Sequence, residues 1–134
     1  MNPYTSYRSS QVKNAPAEDL TPQLLEGARI RIRGARDKWR QGQYARASEL
    51  RSQARKIIDY LDETLDFKAG GNIAYDLDAL YNFMSREINQ SVRDKDFERL
   101  AGVEEILDTL HRGFVDAALE YRRGKREIQR VEVA

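Results

Sequence analysis

An all-α fold, an antiparallel up-down four-helix bundle with a flexible N-terminal arm, is the architecture that three features of the sequence predict. Apolar residues recur at steps of three and four in four stretches of similar length, the connections between them are short, and no stretch alternates like a half-buried strand. The chain of 134 residues has the length of one domain, enough to bury roughly two-thirds of the surface of its unfolded form. Residues 1–20 are expected to form the arm, 21–122 the bundle and 123–134 a basic C-terminal tail.

The arm carries Pro3, Pro16 and a scatter of Ser, Asn and Gln without a sustained period. Thr21-Pro22 then reads as a helix start, an N-cap oxygen followed by a proline at the position where its missing donor costs nothing. Leu24, Ala28, Ile32, Ala35 and Trp39 follow as one buried stripe that ends near Gly42. A second stripe joins Ala47, Leu50, Ala54, Ile57, Leu61 and Leu65, widened by Tyr44 and Ile58, and a third joins Ile73, Leu77, Leu80, Tyr81, Met84 and Ile88. After the polar turn "RDKD", a fourth carries Leu100, Val103, Leu107, Leu110 and Phe114 before fraying through "YRRGKREIQRVEVA".

Two adjacent glycines, Gly70 and Gly71, interrupt this helix-rich chain. Glycine takes the left-handed conformation that stops a helix without a steric penalty, so the pair is expected to be the hinge where the second helix ends and reverses, with Asn72 capping the third. A phosphate-binding loop would need a preceding strand, and a lysine with serine or threonine after the glycines; neither is present.

Lysine plus arginine total 23 and aspartate plus glutamate 22, a balance that calls for neither nucleic acid nor an anionic membrane. Without cysteine there is no thiolate site, and the apolar runs are too short to cross a bilayer. The first residues lack the apolar core of a secretory signal, so the chain is expected to be cytoplasmic, with no membrane insertion. His111 is the single histidine; a di-iron bundle needs a glutamate-histidine pair on each of two helices, which one histidine cannot supply. Histidine phosphotransfer domains are also four-helix bundles, but their motif has lysine and glycine where Phe114 and Val115 stand here. Glu104, Glu105 and Asp108 read as solvated surface, and the basic tail has only Tyr121 among its cations. No catalytic residue, cofactor or metal is expected.

Apolar residues beyond the stripes are more informative. Ile30 lies off the first stripe, and Ile58, Tyr75, Phe83 and Ile106 flank theirs. Exposed together, Ile30, Ile58, Tyr75 and Phe83 would form a groove suited to an amphipathic helix of a partner, or to a second copy of the chain in a homodimer. Tyr4 and Tyr7, three apart in the arm, are two aromatics able to anchor it over such a patch.

The stretch "TLDFKAGGNIAYDLDALYNFM" resembles the flagellar secretion chaperone family FliS. In that family a helix ending in Leu-Asp is followed by a glycine pair, Ile-Ala, a Leu, and Leu-Tyr with an aromatic and Met. Leu65, Asp66, Gly70, Gly71, Ile73, Ala74, Leu77, Leu80, Tyr81, Phe83 and Met84 hold those places. The similarity extends to Leu24-Leu25-Glu26-Gly27-Ala28 and to Tyr4, Tyr7, Gln11 and Val12; Leu25, His111 and Phe114 depart from the usual residues. The resemblance implies a cytoplasmic, non-enzymatic export chaperone. Such a protein binds the disordered C-terminal segment of flagellin, prevents its polymerisation and helps present it to a component of the flagellar export gate. A histidine phosphotransfer protein using His111 and a self-associating structural bundle are the alternatives.

Overall fold

The computed structural model describes residues 17–133, and they form the expected antiparallel up-down bundle. Helix α1 spans Ala17–Arg40, α2 Tyr44–Glu63, α3 Phe67–Arg93 and α4 Leu100–Val133, with one turn of 3₁₀ helix at Phe97–Arg99 leading into α4. Helix α1 packs extensively against both α2 and α4, α3 leans on α2, and contact between α3 and α4 is sparse. The arm up to residue 16, with Tyr4 and Tyr7, lies outside the described residues.

Small residues set the spacing of α1 and α2. Ala28, Ala35, Ala47 and Ala54 are fully buried, and a Cβ on Gly34 would come within 3.2 Å of Leu50 Cδ1. Around this contact Leu25, Ile32, Ile57, Ile58 and Leu61 join Tyr81, Met84 and Ile88 of α3 and Leu100, Val103 and Leu107 of α4 in one core.

Both turns at one end close the same way. Gly42, at φ 77°, ends α1: its N–H donates to Trp39 O at 3.0 Å and that of Gln43 to Lys38 O at 2.9 Å. Lys95, at φ 52°, ends α3 with equivalent bonds, Lys95 N–H to Val92 O and Asp96 N–H to Ser91 O. These are the paired bonds of a Schellman motif, which satisfies the last carbonyls of a helix through a left-handed residue.

Several expectations need correction. Helix α1 begins at Ala17 rather than Thr21, with Pro22 inside it and buried; a proline this near the start removes only one backbone bond. Its innermost first leucine is Leu25, while Leu24 is half-buried. The polar turn holds a core residue, since Phe97 is 1 % exposed. Helix α4 does not fray after Phe114 but continues to Val133, through a run of good helix formers without a proline.

The glycine pair does not make the reversal. Helix α2 ends at Glu63, where Thr64 Oγ1 donates to Tyr60 O at 2.9 Å, and Asp66 then caps α3 by accepting from the Lys68 and Ala69 N–H groups. One helical turn later Gly71, at φ 54° and ψ −131°, breaks the helix into two segments. This backbone region is open to glycine alone, so the positive φ expected of the pair falls at Gly71, as a kink within α3.

Candidate functional site

The sparse contact between α3 and α4 leaves apolar side chains partly uncovered. Ser85 Oγ donates to Asp59 Oδ1 at 2.9 Å and so marks the side of α3 that faces α2. Glu87 accepts from Arg99 Nε at 2.7 Å, which marks the side that faces the head of α4. A helix returns to nearly the same face every seven residues, so Leu80 and Ile73 lie on the Glu87 line, further along α4. Ile73 is 69 % exposed, Leu80 is half-buried, and Phe83 beside them is 42 % exposed.

On α4, Glu104 pairs with Arg36 at 2.5 Å and His111 Nδ1 lies 3.6 Å from Glu26 Oε2, so that line faces α1. Ile106 and Leu110 project to the other flank with Phe114 between it and the core, and all three are half-buried against the core. The result is a seam walled by Ile73, Leu80 and Phe83 on one side and by Ile106, Leu110 and Phe114 on the other. At its head the Glu87–Arg99 ion pair ties α3 to the turn that leads into α4. Such a strip can take up the apolar face of another helix but offers no nucleophile, acid–base pair or phosphate cradle.

The structure separates the residues expected to share a groove. Phe83 borders the seam. Tyr75 is exposed on the outer face of α3, with its ring 4.8 Å from that of Phe67. Ile30 is exposed alone on α1, where its neighbours along the face, Gln23, Arg33 and Asp37, are polar and exposed. Ile58 was expected in the groove and instead lies fully buried, because α2 is covered by α1 on one side and α3 on the other and needs a wide apolar face. Ile73 moves the opposite way: it continues the buried stripe in sequence, but it follows the kink at Gly71 and is left largely exposed. Leu80 and Ile106 belong to the seam as well.

His111 is engaged in the α1–α4 contact. Glu26, its neighbour, accepts from Arg29 Nε and Nη2 at 2.8 and 2.5 Å, and these bonds hold the Glu26 carboxyl below its usual range. Among the described residues no three His, Asp or Glu side chains are placed to hold a metal ion, and no helix is long and apolar enough to cross a membrane.

The sequence model of the family described as "Flagellar protein FliS" matches residues 1–121. The chain belongs to the FliS family. It is 30 % identical over 112 residues to the flagellar secretion chaperone FliS of Vibrio cholerae serotype O1, covering 84 % of this chain and 82 % of that one. To the protein of the same name from Salmonella typhimurium it is 33 % identical over 102 residues, covering 75 % and 76 %. The matched region of the FliS family takes in the four helices and the whole seam, and stops near Tyr121; the end of α4 lies beyond it.

Proposed function

We propose that this chain is a cytoplasmic, non-enzymatic export chaperone for flagellin, and that the α3–α4 seam receives the C-terminal segment of flagellin as an amphipathic helix. The observation that carries the reading is the uncovered apolar strip around Phe83, Ile73 and Leu80 on a chain whose family members are named flagellar secretion chaperones. A helix laid in the seam would bury these side chains together with its own apolar face, the face that would otherwise drive polymerisation. Ordering a disordered segment uses up part of the binding energy, which keeps the complex releasable at the export gate.

Tyr4 and Tyr7 extend the proposal. They lie within the family match, in a segment close in sequence to α1, and two aromatics lose little side-chain entropy on docking. In this reading the arm covers the seam until flagellin displaces it. Deleting residues 1–12 should then change flagellin affinity and raise the binding of a hydrophobic dye by the free protein; unchanged values for both would remove the arm from the site.

Co-purification tests the main assignment. Full-length flagellin is expected to form a one-to-one complex, and flagellin lacking its C-terminal segment none. Equal recovery of both forms would refute the assignment, and a stable dimer indifferent to flagellin would favour a self-associating bundle.

A further inference from the structure

Carboxylates gather where α2 passes α3, and among them one oxygen is buried without a hydrogen-bond partner. Asp59 accepts from Ser85 and pairs with Arg55 at 3.4 Å, and Asp78 accepts from Asn82 Nδ2 at 2.9 Å. Asp62 differs. Its Oδ1 is buried without a hydrogen-bond partner, and the carboxyl within hydrogen-bonding reach is that of Asp78, across the helix interface. The other groups acting on Asp62 are Asp59 and Glu63 of its own helix, and it acts in turn on the Tyr81 phenol of α3. Among the described residues, these groups that act on Asp62 are all carboxyls of α2 and α3.

Two ionised carboxylates cannot share such a place without repulsion, whereas one proton between them turns repulsion into a hydrogen bond. We propose that Asp62 and Asp78 share a single proton across the α2–α3 interface, and that this proton fastens the N-terminal half of α3 to α2. With the proton in place one carboxyl donates to the other. When it leaves, two anions face each other beside Asp59 and Glu63, and the strain falls on the segment between the kink at Gly71 and the Ser85 anchor. That segment bears Ile73 and Leu80, so the clasp sets how firmly one wall of the seam is held, whatever the seam binds.

The sign and window follow from the same surroundings. Burial first, and Asp78 second, push the Asp62 carboxyl up from 3.8 to about 6. The folded protein therefore keeps a proton that the unfolded chain releases near 3.8. The stabilisation is full below that value and is lost as pH rises through about 6, leaving the clasp open at neutral pH.

Thermal unfolding of the full chain, wild type against Asp62→Asn and Asp78→Asn, tests this at pH 5 and pH 7.5. An amide keeps the hydrogen bond without the charge, so each variant should gain about 5 °C in Tm relative to wild type between the two pH values. In wild type, amide exchange over residues 72–82, corrected for its intrinsic pH dependence, should lose protection at pH 7.5 while residues 25–35 of α1 do not. A difference between wild type and variant that is the same at both pH values would mean that the substitution alters packing only, and would overturn the proposal. Should a variant fail to fold, wild-type exchange still decides: a loss of protection that is absent, or uniform along the chain, rules out the clasp.

Discussion

At the end of the bundle where α1 turns into α2 and α3 into α4, the two turns are fastened to each other; at the opposite end, α2 passes into α3 with little to hold it. Trp39 stacks on Phe97 at 4.2 Å with the rings within 10° of parallel, and its other neighbour is Tyr44 at 4.4 Å. Arg40 reaches Glu98 with two hydrogen bonds, at 2.6 and 2.7 Å, and Arg36 bridges Glu98 and Glu104. The far end has an exposed Phe67–Tyr75 pair, a backbone break at Gly71, an exposed Ile73 and one buried carboxylate oxygen, Asp62 Oδ1, without a hydrogen-bond partner. One end fixes the register of the four helices. The other holds α3 with fewer contacts, which is what the proposed releasable binding wall requires.

Breaking the fastened end should have the largest effect. Phe97→Ala removes a fully buried ring that links both turns, and is expected to cost about 3–5 kcal/mol, read as a lower urea midpoint. A smaller cost would mean that the stack adds little to the register. At the loose end the sensitive point is backbone conformation. Gly71→Val forces a β-branched residue into a region open only to glycine and should cost about 1–3 kcal/mol. At Gly70 the obstacle is different: φ is ordinary, but an added Cβ would stand 2.9 Å from Ala74 Cβ, so Gly70→Val should also lower the melting temperature. Wild-type stability in both variants would refute the kink.

The smallest effect belongs to the exposed charges of the fastened end. Hydrogen bonds from Arg40, then Arg36, hold the Glu98 carboxyl down at about 2, against an ordinary 4.5. The depressed value means that its contribution is present above pH 4.5 and is lost as pH falls towards 2. Glu98→Gln should therefore lower the urea midpoint slightly at pH 7, less so in high salt, and much less at pH 2. An equal loss at both pH values would assign Glu98 a packing role instead.

The periodicity of the sequence carried the bundle, its helix order and most of the core, because a stripe at steps of three and four has one way to be buried. It did not carry the helix ends. Phe97 was hidden in a polar turn, where a single aromatic has no period to reveal it, and Asp66 rather than Asn72 caps α3 because a side-chain cap can act before the glycines are reached. The seam was half legible. Phe83 could be picked out because it lies off its own stripe, whereas Ile73 and Ile58 exchanged roles. A helical wheel gives direction but says nothing of which neighbour is present to cover a face, and α3 is well covered only by α2.

The most direct test of the seam compares two exposed residues that differ only in where they lie. Calorimetric titration of a flagellin C-terminal peptide into the wild type, Phe83→Glu and Ile30→Glu proteins, each first checked for unchanged helical circular dichroism, measures the affinity of the α3–α4 strip against that of an isolated side chain on α1. Phe83→Glu is expected to weaken binding at least tenfold, the equivalent of about 1.4 kcal/mol, and Ile30→Glu to leave it unchanged. Equal affinities for wild type and Phe83→Glu, or a loss confined to Ile30→Glu, would contradict the account.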